Sequence, residues 1–473
     1  MHPSDFRKHA HQLVDWICDY LENIADYPVT PQIQPGDILK QLPTQAPEQG
    51  EAFEQIFADF ENIIVPGMTH WQHPHFFAYF PANASPPSFL AEMLISGLGA
   101  QCMSWLTSPA ATELEQRVME WLQQAIGLPA GFSGVIQDTA STATLCALLS
   151  AREQASQFQI NARGFQQQQY RIYASSEAHS SIEKAVRIAG IGSQNLVKVP
   201  TKADFTIDIE ALESAIQQDL KSGYQPLCVV AAWGTTGSTA LDPLDAIADL
   251  CQKYSLWFHV DAAYAGSALI IPAIRQLANG IERADSIVFN PHKWLLTHFD
   301  CSAYFVKDAA LLERTFALTP EYLKTDLDRQ VHNYRDWGIQ LGRRFRALKL
   351  WFVLRSYGLS HLRQILGQQI QWVQALARQI ADDPDFEVLS PTPLNLVCFR
   401  YCPSSADSEQ WEALNQQLLH DLNASGTLFL THTRLNGIYT LRLVAGQHQT
   451  TEADIQSAWK QIQTLAHSLS VSG

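Results

Sequence analysis

The chain is short of positive charge, of paired cysteines and of long apolar runs. Its 473 residues include 32 Lys and Arg against 47 Asp and Glu, a net charge of −15. Nucleic acids and anionic membranes recruit clustered cations, so this balance argues against both as partners. The eight cysteines, Cys18, Cys102, Cys146, Cys228, Cys251, Cys301, Cys398 and Cys402, show no CxxC spacing. They read as reduced, mostly buried small side chains rather than disulfides or zinc ligands. No apolar stretch approaches the roughly 18 residues of a membrane span. The amino-terminal MHPSDFRKHAHQLVDW lacks a continuous apolar signal core, and a soluble cytoplasmic protein is expected. Nucleotide motifs are missing too. Gly190-Ile191-Gly192 opens a GxGxxG, but Asn195 replaces the third glycine, and neither GxxxxGK[ST] nor GxSxG occurs. This argues against nicotinamide, ATP and serine-hydrolase chemistry.

What is present is organised around Asn290-Pro291-His292-Lys293-Trp294. The lysine follows an apolar run, Ala284 to Phe289, and a second run, Leu256 to Val260, ends in Asp261. Such runs read as buried strands of a parallel sheet, and ligands of open α/β sheets collect at the strands' carboxyl ends. Lys293 and Asp261 would then face one crevice. That suits a pyridoxal-phosphate enzyme, where lysine forms a Schiff base and aspartate keeps the pyridine nitrogen protonated. A structural ion pair is the bland alternative.

Residues from about Ser85 to Arg346 alternate helical and strand-like segments, as a doubly wound α/β domain does. Within them Gly134 to Thr144 opens a helix with small hydroxyl residues, either a phosphate cradle or an ordinary cap. Gly234-Thr235-Thr236-Gly237 follows the strand-like Leu227 to Trp233. Before this domain, two amphipathic helices with Leu13, Trp16, Ile17, Tyr20, Leu21 and Ile24, then Phe53, Ile56, Phe57, Phe60, Ile63 and Ile64, flank a Pro-rich connector. Ser4 is available as N-cap of the first. His70, His73 and His75 lie among five aromatics and two prolines, which fits an apolar pocket wall better than a metal site. Arg343-Arg344-Phe345-Arg346 is expected to be a solvated or dimer-facing charge run. Beyond Leu359 the pattern is α+β, with a helix over 361–380 and a hairpin joining Thr427–Thr431 to Ile438–Val444 through Asn436-Gly437.

The blocks His259-Val260-Asp261-Ala262-Ala263-Tyr264-Ala265-Gly266 and Asn290 to Leu295 stand with Glu177-Ala178-His179-Ser180-Ser181, Pro66 to Trp71 and Phe76 to Pro81. Together they resemble the aromatic L-amino-acid decarboxylases, the group II pyridoxal-phosphate decarboxylases, in order from about Phe6 to the last helix. The resemblance implies the α/β pyridoxal-phosphate-dependent transferase fold, fold type I. A helical dimerisation segment would span 1–84, a large mixed-sheet cofactor domain 85–358 and a small α+β domain 359–473.

It further implies roles for individual residues. Lys293 would carry pyridoxal 5'-phosphate, Asp261 would hold its ring nitrogen, and His179 would stack on the ring. Tyr322, in a loop from Leu318 to Arg329, would close over the substrate and return a proton to Cα. Ala140, Ser141 and Thr236 would take the phosphate, and Ala263, Asn290 and His292 would complete the cofactor site. Trp71, Tyr79, Phe80 and Pro81 would line the pocket for an aromatic ring. Gln101 to Trp105 would reach across an obligate homodimer. Three positions depart from or tune the pattern. Ala82 stands where a hydroxyl residue often approaches the substrate carboxylate, Cys102 and Met103 replace larger or differently shaped residues, and Gly342 sits where plant relatives with glycine lean towards indolic substrates. The implied reaction converts tryptophan, tyrosine, phenylalanine or dihydroxyphenylalanine to its amine and carbon dioxide. An aldehyde synthase on the same scaffold is the nearest rival, since relatives with phenylalanine in place of the loop tyrosine release aldehydes. A non-catalytic, cofactor-retaining dimer is the rival of another class.

Overall fold

The computed structural model describes residues 1–318 and 330–471, grouped into two compact units. The larger, Ala82–Gln374 with Ser390–Val397, is a mixed α/β unit. Its sheet contains β1 (Ser133–Gln137), β2 (Tyr170–Ser175), β3 (Leu196–Val199), β4 (Gln225–Ala232), β5 (Trp257–Asp261), β6 (Ser286–Phe289) and β7 (Ser302–Val306). Their spatial order is β1-β7-β6-β5-β4-β2-β3. β7 runs antiparallel to both neighbours, whereas the pairs from β6 to β3 are parallel. Strands β5, β6 and β7 are buried at every position, which is why they read as unbroken apolar runs rather than alternating ones.

Both central strands start later than their apolar runs suggest. The parallel ladder continues to Asp261 opposite Val288, so the aspartate is the last residue of β5 and not the first of a loop. The helix Pro109–Ile126 ends at Gly127 in the left-handed region (φ 78°), the usual glycine stop. The helix expected over 361–380 belongs to a longer helical run, Ala347–Asp382, interrupted at Gly358 with φ 66°. Of the arginine run expected to be solvated or dimer-facing, Arg344 is exposed, whereas Arg343 and Arg346 are turned into the chain's own structure. Arg343 is 8 % exposed, its Nη2 donating to Glu115 Oε1 at 2.7 Å and to the Ile136 carbonyl at 2.8 Å. Arg346 Nη2 reaches Asp300 Oδ2 at 2.9 Å. A guanidinium is buried where carboxylates meet it, and the local run of charges does not reveal that Glu115, 228 positions away, meets Arg343.

The smaller unit comprises Met1–Pro81, Ala375–Leu389 and Cys398–Gly473. Its sheet has the order β10-β11-β9-β8, from β8 (Phe386–Val388), β9 (Leu396–Tyr401), β10 (Thr431–Leu435) and β11 (Ile438–Val444). Asn436 (φ 51°) and Gly437 (φ 83°) make the two-residue turn, and the left-handed pair suits the twist of a hairpin. Pairing counted back from Leu435 opposite Ile438 reaches Thr431 opposite Arg442, so the strand begins at Thr431 and not Thr427. The first helix starts two residues earlier than Ser4 allows as a cap. It spans Pro3–Glu22, and His2 accepts from the Ser4 N–H. Trp16 meets Phe57 and Phe60 edge-on. Among the described residues no helix is long and apolar enough to cross a membrane.

Candidate active site

Lys293 lies in a single helical turn, Pro291–Trp294, directly after β6. A continuous hydrogen-bond path joins it to Asp261. Asp261 Oδ1 accepts from Ala263 N–H at 3.0 Å, the Ala263 carbonyl accepts from Asn290 N–H at 2.9 Å, and the Asn290 carbonyl accepts from Lys293 N–H at 2.9 Å. Four sequence-predicted residues are thereby brought to the carboxyl ends of two adjacent strands, where an open α/β sheet presents its ligand crevice. Asn290 is fixed from its side chain as well, its Oδ1 accepting from Ser302 Oγ at 2.6 Å.

The charges of this group sense one another. Burial pushes the Lys293 ammonium below the ordinary lysine range, and Asp261 pulls in the opposite direction. Removal from water penalises the charged amine, so more of the neutral, nucleophilic form is available. His179 is also lowered, first by burial and then by Lys293 and Lys184, with Asp261 opposing. Its place is set by a cap: Nδ1 accepts from Ser181 N–H at 3.1 Å and lies 2.7 Å from Ser181 Oγ, closing the start of the helix Ser180–Ile188. With Nδ1 an acceptor, the neutral ring carries its proton on Nε2.

His292 is buried and pushed down to about 3, mainly by burial and then by Lys293. Its Nδ1 accepts from Cys301 N–H at 2.9 Å, and its own N–H donates to the Cys301 carbonyl at 3.2 Å. The imidazole is therefore a neutral fastener between the lysine turn and the start of β7.

The residues assigned to the phosphate lie at a helix start and a neighbouring loop. The helix Ala140–Ala155 is 16 residues long, and Thr139 Oγ1 caps Thr142 N–H. The Thr139 carbonyl takes Ala143 N–H, which leaves the N–H groups of Ala140 and Ser141 at the positive end of the helix. Ser141 and Thr236 are exposed, whereas Thr235 is buried and accepts from Ala240 N–H at 3.0 Å. The residues thus fit pyridoxal phosphate: a lysine biased towards its neutral form, a carboxylate at the end of the adjacent strand, and N–H donors at the start of a long helix.

The pocket residues of this unit also converge. Cys102 N–H donates to the Arg343 carbonyl at 2.9 Å, Gln101 Oε1 accepts from Arg343 N–H at 2.7 Å, and the Met103 carbonyl accepts from Arg335 N–H at 2.9 Å. A Cβ built on Gly342 would meet Gln101 Nε2 at 3.1 Å, so Gly342 and Cys102 occupy one strip. Gln137 Nε2 donates to the Trp337 carbonyl at 3.0 Å and Gln340 Nε2 to Asp138 Oδ2 at 3.3 Å, tying that strip to the approach of the phosphate helix. Ala82 is half-buried, and Tyr322 lies outside the described residues.

In the smaller unit Trp71 and Tyr79 stack with centroids 5.9 Å apart, Pro81 is buried and Arg442 lies 5.5 Å over the Phe80 ring. The three histidines nearby are all engaged in the chain's own structure. His70 Nδ1 meets Tyr20 OH at 2.7 Å, His73 Nδ1 accepts from His75 N–H at 2.9 Å, and His75 Nε2 pairs with Asp454 at 3.1 Å.

Sequence reasoning missed Asn83, which is 1 % exposed and whose Nδ2 donates to the Lys293 carbonyl at 2.6 Å. It missed Gln369 as well, whose Oε1 accepts from Trp294 Nε1 at 2.7 Å. An amide 210 positions before its partner leaves no local signal.

The model of the pyridoxal-dependent decarboxylase conserved domain matches residues 35–402. A tryptophan decarboxylase of Camptotheca acuminata is 43% identical over 472 residues, covering 97% of this chain and 93% of that protein. A phenylacetaldehyde synthase of Arabidopsis thaliana is 42% identical, covering 98% and 96%. The crystal structure of Catharanthus roseus tryptophan decarboxylase in complex with L-tryptophan superposes with a TM-score of 0.93 at 40% identity, covering 99% of both chains.

Proposed function

Because the chain belongs to the pyridoxal-dependent decarboxylases, we propose that it removes the carboxylate of an aromatic L-amino acid and releases the arylalkylamine and carbon dioxide. The single observation that carries this reading is the hydrogen-bonded path from Asp261 through Ala263 and Asn290 to Lys293. The bound cofactor supplies an electron-accepting ring. Lys293 would hold it through a side chain whose neutral form is favoured by burial. Asp261 would hold the ring nitrogen, the contact that favours uptake of electrons by the ring. His179 offers a flat face and an Nε2 proton. The N–H groups of Ala140 and Ser141, with Thr236, hold the phosphate. Tyr322 is assigned the return of the proton to Cα, and the aromatic side chain is assigned to Trp71, Tyr79, Phe80 and Pro81, with Cys102, Met103 and Gly342 setting ring size.

The likeness to a phenylacetaldehyde synthase supports one competing outcome, oxidative release of the aldehyde. The test is product analysis of the cofactor-loaded protein with tryptophan, tyrosine, phenylalanine and dihydroxyphenylalanine in turn. Amine equal to carbon dioxide without peroxide is the expected result. Aldehyde with stoichiometric peroxide and ammonia would replace it with the synthase reading.

A homodimer in the cytoplasm is part of the same proposal. The helix Pro86–Leu98 exposes Leu90, Met93, Leu94 and Leu98 at 54%, 42%, 50% and 63%, an apolar face of the kind that subunit contacts cover. Light scattering at the mass of one 52.9 kDa chain would overturn the dimer.

A further inference from the structure

The lysine turn contains only four residues, so its carbonyls have almost no helix to bond into. They are met instead by a splint of sequence that runs from Asn83 into the first turn of the helix Pro86–Leu98. Asn83 supplies two donors: Nδ2 to the Lys293 carbonyl at 2.6 Å and its own N–H to the His292 carbonyl at 3.2 Å. Ser85 Oγ then donates to the Leu296 carbonyl at 2.6 Å, and Ser88 Oγ accepts from His298 N–H at 2.7 Å. Asn83, Ser85 and Ser88 are 1 %, 0 % and 0 % exposed. Water therefore cannot replace these contacts.

We propose that Asn83 is a positioning residue for Lys293. Its side-chain amide fixes the rotation of the Lys293 peptide, and with it the direction in which the lysine side chain leaves the turn towards Asp261. Lys293 N–H belongs to the preceding peptide, whose His292 carbonyl takes Asn83 N–H while the N–H itself is held by the Asn290 carbonyl. The peptides on both sides of the Lys293 Cα are thus gripped, one grip leading to Asp261 and the others to the residue next to Ala82. Small angular errors at a reacting group are costly, and a longer or shorter side chain than asparagine would not reach the carbonyl with its N–H.

The proposal rests on Lys293 being the lysine that carries the cofactor. Borohydride reduction and peptide mapping of the loaded protein tests that premise separately, and a label on any other lysine overturns both statements. With the label on Lys293, the loaded Asn83→Ala and Ser85→Ala proteins are compared by pH titration of the visible absorbance of the lysine-bound cofactor and by steady-state kinetics. Both lose one buried hydrogen bond to the same splint, but only Asn83 touches the lysine peptide. Asn83→Ala is expected to shift the titration midpoint by about half a pH unit or more. It should lower kcat on the order of tenfold with KM nearly unchanged. Ser85→Ala should lose thermal stability with the titration and kcat of the parent. If Asn83→Ala does not fold, Asn83→Ser, with a donor on a shorter stem, is expected to show the same direction of shift. A parent-like titration in the Asn83 variant, or an equal shift in Ser85→Ala, would reduce Asn83 to a structural residue and overturn the proposal.

Discussion

Two of the tryptophan–tyrosine stacks in this protein use the same side chains to opposite ends. Tyr264 and Trp294 lie 4.8 Å apart and nearly parallel, at 9°, and are 1% and 0% exposed. Their polar atoms are satisfied inside the larger unit: Asn395 Nδ2 donates to Tyr264 OH at 2.6 Å and Trp294 Nε1 donates to Gln369 at 2.7 Å. Trp71 and Tyr79, in the smaller unit, lie 5.9 Å apart and are 37% and 51% exposed. Tyr79 also holds a positive φ of 51°, a conformation that costs a non-glycine residue energy and tends to persist at functional sites. A sealed stack, neighbour to Lys293 in sequence, is a foundation. The open and strained one carries two of the residues assigned above to the substrate ring.

The comparison breaks most severely at Trp294. Trp294→Ala should cost about 3–5 kcal/mol by leaving a cavity and stranding Gln369, and thermal melting should show loss of the folded protein. Next in size is chemistry at the end of β5. Asp261→Asn should retain the fold but lower kcat by roughly a hundredfold or more. Stopped-flow or steady-state carbon dioxide release would check this, and full turnover would sink the assignment. Tyr264→Phe keeps the stack but removes the acceptor of the Asn395 amide, at an expected cost of about 1–3 kcal/mol by urea titration.

Acid should also distinguish the sealed region. Burial pushes His259 down to about 4 and His292 to about 3, and His73 in the other unit to about 4. Each stays neutral in the fold while the unfolded chain takes up a proton below its ordinary 6.5. Their contribution is present above that value and is lost as pH falls, by about 1.4 kcal/mol per unit for each histidine. Asp242, raised to about 7 by burial against its backbone bonds to Ile207 and Ala232, runs the other way and offsets one of them. Urea midpoints that stay flat from pH 6.5 to 4 would contradict this sum. The smallest expected stability effect is at the open stack: Tyr79→Ala should change stability by about 0.5 kcal/mol or less while raising KM roughly tenfold, since a lost ring contact is worth a few kcal/mol at most. An unchanged KM would remove Tyr79 from the substrate wall.

Much of the sheet was legible because β5 and β6 are covered on both faces, so their sequences are apolar without alternation and their ends carry Asp261 and Lys293. The charge run at 343–346 misled for the opposite reason. Arg343 is buried by Glu115, a residue on the helix Pro109–Ile126, and nothing near Arg343 in the chain announces that pairing. Asn83 was invisible likewise, since an asparagine in an irregular stretch is ordinarily a turn residue and its partner is a carbonyl that any residue at 293 would possess. Side-chain chemistry at strand ends can be inferred locally, whereas the donors that satisfy a short turn's carbonyls are set by tertiary structure.

The reversed direction of β7 has a further consequence. Phe289 closes β6 opposite Ala303 near the start of β7, so the lysine-bearing connector begins and ends at the same edge of one ladder. Its length works as a ruler. One residue inserted or deleted between Leu295 and Cys301 would have to be absorbed as a displacement of about 3.3 Å, one strand step, either in the register of β7 or at the turn itself. Elsewhere on the surface a connector can drift in length without moving anything that matters; here the number of residues is as much a part of the site as their identity.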